Sequence, residues 1–320
     1  LSTPARARAI HVQHITGQHF KRARTDVPTV GRTMFETDGL PAEWVARANE
    51  LDEVWVPSQF NVETFAKAGV SREKLCVVPG AIDAERWGER AAPLQLQKKR
   101  GFNFLCVCDW IPRKGWDVLV EAWARAFKAT DDVALYFHVN SAKGVAPREI
   151  AKELQQHLTT KLRVNPARIA SLQVLARSLT AREMRALYPA CDAFVLASRG
   201  EGWGRPYMEA MASGIPTIGT NWSGNTEFMS SDTSFLIDAQ LVRIPKQQIA
   251  REPWLAGQRW AQPNVEQLAE TLKRVARGGS DIAEIAARGR EHVLTNYSRA
   301  KAAEILKQRL AGMCSPLAIR

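Results

Sequence analysis

Two carboxylates mark the segment of this chain that is best suited to chemistry. Glu201 and Glu209 flank the sequence "GWGRPYM", which follows the apolar run "AFVLAS" and leads into a helix. Glycines at a strand-to-helix turn allow close backbone approach to an anion, and the helix start adds N–H groups and a positive dipole end. The segment therefore predicts a phosphate site near Gly202 and Gly204, with one carboxylate on each side of it.

Polar residues also follow two other predicted strands. Arg113 and Lys114 come after the run "FNFLCVC", and the small residues Ser223 and Gly224 come after "IPTIGT". The carboxyl ends of parallel strands share one sheet edge, which is where ligands of open α/β sheets bind. We therefore expect these cations and this loop to meet the same diphosphate ligand. The alternative is that Glu201 is a solvated loop acid and that Glu209 is an exposed helix acid.

The arrangement of strands and helices predicts how this edge is built. Short apolar runs alternate with amphipathic segments, which is typical of parallel α/β architecture. We predict an amino-terminal Rossmann-like domain over residues 1–97, a second Rossmann-like domain over 98–280, and carboxyl-terminal helices over 281–320 that pack back towards the first domain. The polar stretch 87–101 is the candidate linker. We expect the first domain to be short or truncated, because it shows no Gly-rich first βα turn and the chain begins at Leu1.

Composition limits the classes of partner. The formal charge of +11 over 320 residues suggests an anionic partner such as phosphate groups, a membrane surface or nucleic acid. Nucleic acid is the least favoured of these, because the chain has no motif that interleaves aromatic and basic residues. No apolar run is long enough to span a membrane. We expect a cytoplasmic location, and contact with a membrane surface remains open.

Cysteines and tryptophans fit structural roles. The five cysteines form an odd set without CxxC spacing, which favours reduced thiols. Cys106 and Cys108 share one face of a strand. A CxC redox pair is the less favoured alternative to two structural thiols. Trp55, Trp116 and Trp123 lie in strand and helix contexts and are expected in the core.

The segment around the two acids carries a specific resemblance. Residues 101–230 resemble the donor-binding domain of retaining glycosyltransferases of family 4 (glycosyl transferases group 1), whose EGFG-x-P-x-x-EAMA-like pattern matches "EGWGRPYMEAMA". Trp203 stands where phenylalanine is common in that pattern. The stretch "FETDGLPAEWVARANELDEVWVPSQFNVETFAKAGVSREKLCVVPGAID" is similar to the later part of these enzymes' first domain. The resemblance implies the GT-B fold, in which two Rossmann-like domains face a cleft.

The resemblance also implies roles for individual residues. Glu201 would contact hydroxyls of the donor sugar, Glu209 would contact the ribose, and the backbone at Gly204 and Arg205 would approach the diphosphate. Lys114 matches the family's phosphate-binding lysine. The implied catalytic residues are Glu201, Lys114, Arg113 and His14, and the implied donor-binding residues are Glu209, Gly202, Trp203, Gly204, Arg205, Ser223 and Gly224.

Several positions depart from the family pattern or are ambiguous. The family's partner arginine aligns with Asp109, and Arg113 is the candidate substitute. His14 falls where relatives place a histidine that faces the sugar, although a structural or solvated histidine is an equal alternative. Glu36 either faces the acceptor or caps the following helix.

The activity implied by the resemblance is transfer of a sugar from a UDP- or GDP-linked donor to a hydroxyl acceptor with retained configuration. The acceptor is a glycan, lipid or protein, and neither a metal nor a separate cofactor is implied. One alternative is another enzyme of the same fold, such as a sugar-nucleotide epimerase or a sugar phosphorylase. Another is a catalytically silent nucleotide-sugar-binding protein, which Asp109 and the short first domain favour. On sequence alone, Glu209→Ala or Lys114→Ala is predicted to weaken nucleotide binding and to leave the fold intact.

Overall fold

The computed structural model of the chain describes residues 9–22, 24–139, 146–175 and 178–314. Their contacts divide the chain into two compact units. The first unit contains the described residues up to Ala81, the segment Arg243–Trp260 and the described residues from Tyr297 onward. The second contains Ile82–Val242 and Ala261–Asn296. The division after Ala81 differs from the boundary at residue 97 that we predicted, and an internal segment of the later chain belongs to the first unit.

Strands and helices alternate along most of the chain. The strands are β1 (His11–His14), β2 (Thr29–Arg32), β3 (Glu53–Val56), β4 (Leu75–Val77), β5 (Phe102–Cys108), β6 (Val133–Val139), β7 (Ser171–Leu175), β8 (Ala193–Leu196), β9 (Thr217–Thr220), β10 (Phe235–Ile237), β11 (Ala239–Arg243) and β12 (Arg259–Pro263). The α-helices are α1 (Ala42–Asn49), α2 (Gln59–Ala68), α3 (Ala84–Gly88), α4 (Trp116–Ala126), α5 (Pro147–Gln156), α6 (Ala181–Leu187), α7 (Arg205–Ser213), α8 (Lys246–Arg251), α9 (Val265–Arg277), α10 (Ser280–Asn296) and α11 (Arg299–Cys314).

The first unit is built on a parallel sheet with the strand order β1-β2-β3-β4. Helix α2 follows β3 because the Ser58 hydroxyl accepts from the Asn61 N–H at the helix start. It ends at Gly69, whose φ of 110° is in the left-handed region. Val30, Trp55 and Val78 form an apolar cluster in this unit. Apolar residues of the last helix, α11, pack on the cluster, among them Ile305, Leu306 and Leu310.

The second unit contains a six-stranded parallel sheet with the order β10-β9-β8-β5-β6-β7. From β5 the strands follow one another in one direction as far as β7, and from β8 they follow in the other direction as far as β10. This is the doubly wound Rossmann order, and the direction reverses between β5 and β8. These two strands pair directly, with Phe104 opposite Ala193. Ligands of such sheets bind outside the carboxyl ends of the strands at this reversal point.

Some local predictions differ from the structure. The segment "GNTEFM" after β9 forms a short 3-10 turn at Gly224–Glu227 and no α-helix. The candidate linker 87–101 overlaps the end of α3, and the Leu94 N–H donates to the Ala186 carbonyl, so part of it packs within the second unit. Helix α8 and the two-stranded sheet of β11 and β12 were not predicted. These elements are short, and a brief polar segment carries little periodic signal in the sequence.

The structural roles predicted for the tryptophans are confirmed, because Trp55, Trp116 and Trp123 are buried. The thiols of Cys106 and Cys108 lie 3.8 Å apart in the core as free cysteines. Burial raises the pKa of Cys106 well above its usual range, which disfavours the reactive thiolate. The side chain of Cys314 lies outside the described part of the chain. No helix within the described ranges is long and apolar enough to cross a membrane.

Candidate functional site

The reversal point of the second sheet brings together the two loops that the sequence singled out. Strand β5 ends at Cys108 and the loop after it carries Arg113 and Lys114. Strand β8 ends at Leu196 and the loop after it carries Glu201. Because β5 and β8 are neighbours and parallel, both loops leave the same edge of the sheet.

A buried ion pair joins these loops. The Lys114 ammonium donates to both carboxylate oxygens of Glu201, at 2.7 and 2.8 Å, and both side chains are buried. The Arg113 guanidinium donates to the Gly200 carbonyl at 2.6 Å and lies 4.0 Å from the Glu201 carboxylate. Burial by itself would raise the pKa of Glu201, but the charges of Lys114 and Arg113 and the hydrogen bond from Lys114 hold this pKa below its usual value. Glu201 is therefore ionised at neutral pH and is not the solvated loop acid of the alternative interpretation.

The two loops touch through their backbones at one glycine. Gly115 has a φ of 63°, and a Cβ atom added to it would lie 1.8 Å from the Ala197 carbonyl oxygen. The Arg199 N–H also donates to the Arg113 carbonyl at 2.7 Å. Only glycine permits this approach, which places Lys114 directly beside the β8 loop.

The loop after β9 is bonded to the same glycine-rich turn. The Glu201 N–H donates to the Ser223 hydroxyl at 2.8 Å, and the Gly224 N–H donates to the Glu201 carbonyl at 2.9 Å. A Cβ atom on Gly224 would lie 2.2 Å from the Gly202 carbonyl oxygen. Ser223 has a φ of 79°, which is unusual for a residue other than glycine and marks a strained turn. These bonds fix the backbone of the turn before any ligand is bound.

Helix α7 begins directly at this turn. Gly204 is its N-cap with a φ of 92°, and a proline stands in the first turn, where no N–H donor is needed. Glu209 lies just over one turn into the helix and accepts from the Tyr188 hydroxyl at 2.8 Å and from Arg205 at 3.2 Å. Burial, followed by the charge and hydrogen bond of Glu209, raises the pKa of Tyr188 well above its usual range. Tyr188 is therefore a permanent donor that orients Glu209.

The indole of Trp203 packs inward rather than towards the open edge. It is buried, and its ring lies 4.9 Å from that of Phe228. The position that is commonly phenylalanine in the resembling family is thus an apolar anchor beneath the turn. A contact from Trp203 to a ligand would come from its backbone.

Three residues that support the site were not identified from the sequence. The buried Arg199 makes a paired contact with Asp117 at 2.8 Å for each bond, and it also donates to the Pro112 carbonyl. It therefore ties the start of α4 to the β8 loop. The third residue, after Arg199 and Asp117, is Tyr188, which donates to Glu209. The one sequence signal for Arg199 is its position immediately before Gly200 and Glu201.

The predicted residues of the amino-terminal half, His14 and Glu36, lie in the first unit. Both line a cavity of about 620 Å³ in that unit. His14 is exposed, and partial burial together with the charge of Arg32 lowers its pKa. It is therefore neutral at neutral pH.

The donor set at the edge of the second sheet suits a phosphate-bearing ligand. Cationic side chains, backbone N–H groups and the start of α7 surround the turn, and this combination binds phosphate oxygens. Within the described ranges, no group of three His, Cys, Asp or Glu side chains is placed to hold a metal ion.

Comparison with known proteins identifies similar sequences. Residues 101–251 match the family model for Glycosyl transferases group 1. The GDP-mannose-dependent alpha-(1-6)-phosphatidylinositol monomannoside mannosyltransferase of Mycolicibacterium smegmatis is 25% identical over 240 residues, which cover 68% of this chain and 59% of that protein. Mannosylfructose-phosphate synthase of Agrobacterium fabrum is 24% identical over 232 residues, which cover 67% of this chain and 48% of that protein. The chain thus spans about half to three fifths of these curated relatives.

Solved structures show the same fold. Anabaena Alr3699/HepE in complex with UDP and glucose superposes with a TM-score of 0.67 at 19% identity, covering 89% of this chain and 72% of that one. Sucrose-phosphate synthase from Thermosynechococcus elongatus gives a TM-score of 0.65 at 16% identity, covering 91% of this chain and 69% of that one. The predicted α/β fold with two Rossmann-like parallel sheets, as in GT-B glycosyltransferase structures, is confirmed.

Proposed function

We propose that this chain is a retaining glycosyltransferase of family 4 that moves a hexosyl group from a UDP- or GDP-linked donor to a hydroxyl acceptor without a metal ion. The observation that carries this proposal is the pairing of Lys114 with Glu201 at the β5/β8 reversal point, beside the glycine-capped start of α7. The match of residues 101–251 to the Glycosyl transferases group 1 model supports it.

Different residues of the site contact different parts of the donor. The diphosphate lies at the start of α7, where backbone N–H groups and the helix dipole favour negative charge. Lys114 uses two of its three N–H donors on Glu201, which leaves one for a phosphate oxygen. Glu201 accepts from donor-sugar hydroxyls, and Glu209, held by Tyr188, accepts from the ribose.

The cations then act on the departing phosphate. Negative charge grows on that phosphate as the bond to the sugar breaks, and donors fixed before the reaction stabilise it without reorganisation. Lys114 fills this role. Arg113 is the second cation, because its hydrogen bond to the Gly200 carbonyl holds it beside the turn. Retention follows if the acceptor attacks from the face that the phosphate leaves, with the phosphate accepting the acceptor's proton.

Asp109 supports a second candidate function, which is binding of a sugar nucleotide without transfer. It occupies the position of the partner arginine in the resembling family, and a carboxylate there adds no positive charge. An assay with labelled UDP- and GDP-sugars and a panel of hydroxyl acceptors distinguishes the two. Transfer, with NMR of the new anomeric centre, supports the enzyme and reports its stereochemistry, whereas binding without transfer supports the second candidate.

Glu209→Gln is expected to weaken sugar-nucleotide binding by about tenfold or more, because a charged hydrogen bond to a ribose hydroxyl contributes about 1.5–3 kcal/mol. Calorimetric titration with UDP- and GDP-sugars measures the change. Glu270→Gln is the matched control, since Glu270 is an exposed helix glutamate on α9. Equal affinity of Glu209→Gln and the parent chain would remove Glu209 from the site.

Tyr188→Phe tests how Glu209 is held. Removing the hydroxyl deletes one hydrogen bond to the Glu209 carboxylate and keeps the ring that packs near Phe194. We expect sugar-nucleotide affinity to fall by a few-fold, with less effect when Glu209 is already glutamine. Equal losses in both backgrounds would show that Tyr188 acts on folding and not through Glu209.

A further inference from the structure

The exposed apolar side chains of the first unit are concentrated at one cavity. Ile15, Met34 and Trp254 are among the large hydrophobic residues that remain exposed in the described structure, and all three line the cavity that also holds His14 and Glu36. Trp254 is 51% exposed. Apolar surface gathered in a concave site of about 620 Å³ is typical of a ligand pocket.

Trp254 reaches this cavity on a segment from the later part of the chain. Arg243–Trp260 belongs to the first unit, although the residues before and after it belong to the second. Hydrogen bonds at Gln258 and Arg259 attach the segment. The Thr37 hydroxyl donates to the Gln258 side chain, and Arg259 donates to the Asp38 carboxylate through its backbone N–H (2.7 Å) and its guanidinium (2.8 Å). The Asp38 N–H donates in turn to the Arg259 carbonyl at 3.1 Å.

The backbone of Trp254 is fixed while its indole stays exposed. The amide of Gln258 donates to the Trp254 carbonyl at 2.7 Å, and the neighbouring Leu255 is buried. A rigid aromatic ring held open to solvent binds a flat apolar surface at low cost in conformational entropy.

The charged groups of the cavity disfavour an anionic ligand. Glu36 and Glu43 line it, and His14 is neutral at neutral pH because partial burial and Arg32 lower its pKa. The lining residues therefore carry two carboxylates, with Arg32 as the nearby cation that acts on His14, in a chain whose formal charge is +11. Carboxylates repel phosphate groups but accept hydrogen bonds from hydroxyls.

We propose that this cavity binds a neutral saccharide acceptor, with Trp254 stacked on the C–H face of a sugar ring and Glu36 and Glu43 accepting from its hydroxyls. The proposal rests on the transferase function above and assigns its acceptor to the class of uncharged carbohydrates. A sugar ring suits this lining because it offers an apolar face and a rim of hydroxyl donors. A phosphorylated headgroup does not suit it, because both carboxylates would face an anion.

The test measures binding of small glycosides to the full chain in the presence of UDP or GDP. The probes are the methyl glycosides of mannose, glucose and galactose, with mannose 6-phosphate as the anionic comparison, and saturation-transfer NMR gives the affinities. We expect at least one methyl glycoside to bind, Trp254→Ala to weaken it by roughly tenfold, and Trp254→Phe to restore part of the loss. Leu241→Ala, at another exposed apolar residue outside the cavity, is the control and is expected to change nothing.

The outcomes separate this proposal from the transferase proposal. Tighter binding of mannose 6-phosphate than of methyl mannoside, equal binding by Trp254→Ala and the parent chain, or sugar-nucleotide binding without binding of any methyl glycoside overturns the saccharide site. A chain that binds a methyl glycoside through Trp254 but binds no sugar nucleotide supports the site and overturns the transferase proposal.

Discussion

Lys114→Met is expected to lower the free energy of unfolding by about 3 kcal/mol, because it leaves the buried Glu201 carboxylate without its closest partner. Removing one member of a buried ion pair costs about 3–5 kcal/mol. The Arg113 guanidinium, 4.0 Å from the carboxylate, offsets part of this cost. Urea unfolding followed by tryptophan fluorescence measures the change. The structure thus revises the prediction from sequence that replacing Lys114 leaves the fold undisturbed.

The double variant Lys114→Met/Glu201→Gln separates the pair from its individual members. We expect it to be destabilised by less than the sum of the two single variants, since removing both charges leaves no buried charge unpaired. Sugar-nucleotide binding is expected to stay weak in all three variants. Additive losses of stability would show that the two side chains do not interact in solution.

The same pair predicts a dependence on pH. The pKa of Glu201 is lowered in the folded chain, so its contribution to stability is present above the ordinary glutamate pKa of about 4.3 and is lost as the pH falls through the lower folded value. In Lys114→Met, burial is expected to raise that pKa above the ordinary value. The stability difference between this variant and the parent chain is therefore expected to start shrinking above about pH 4.3, as the variant's carboxylate is protonated, and to continue shrinking as the pH falls through the parent's lowered pKa. A difference that is constant from pH 7 to about pH 3 would contradict the ion pair.

Gly115→Ala is expected to destabilise the second unit by more than about 3 kcal/mol and to abolish sugar-nucleotide binding. The left-handed backbone at φ 63° costs about 1–2 kcal/mol for a residue with a Cβ atom. The added Cβ would also lie 1.8 Å from the Ala197 carbonyl oxygen, so the β5 and β8 loops must separate. Separating these loops moves Lys114 away from Glu201.

Gly214→Ala is the matched control for this substitution. Gly214 lies in the same unit and has the same left-handed backbone, with a φ of 77° and a ψ of 22°, but the nearest atom to an added Cβ is in the flexible Arg290 side chain, at 3.3 Å. The substitution is expected to cost the backbone strain of about 1–2 kcal/mol and to leave nucleotide binding unchanged. Urea unfolding and calorimetric titration of both variants give the comparison. Equal destabilisation by the two substitutions would rule out the close approach of the loops at Gly115.

The local features of the second unit follow from residues that are close together in the sequence. The apolar run before Gly200 and the glycine and proline at Gly204 and Pro206 specify a strand, a turn and a helix start, because these residues act through their own backbone preferences. Alternating strands and helices then imply a parallel sheet, which puts Lys114 and Glu201 at one edge. The spacing of Glu201 and Glu209 likewise placed one acid in the turn and the other in the helix.

The pairing of the site residues with one another depends on the tertiary fold. Lys114 pairs with Glu201 across a sequence separation of 87 residues, and Tyr188 donates to Glu209 across a separation of 21 residues. The segment that carries Trp254 belongs to the first unit, although its neighbours in sequence belong to the second. Side chains far apart in sequence meet only when strand order and loop packing bring them together, and no local preference encodes that meeting. The residues proposed to bind phosphate could therefore be identified from the sequence, whereas the ion pair between Lys114 and Glu201 could not.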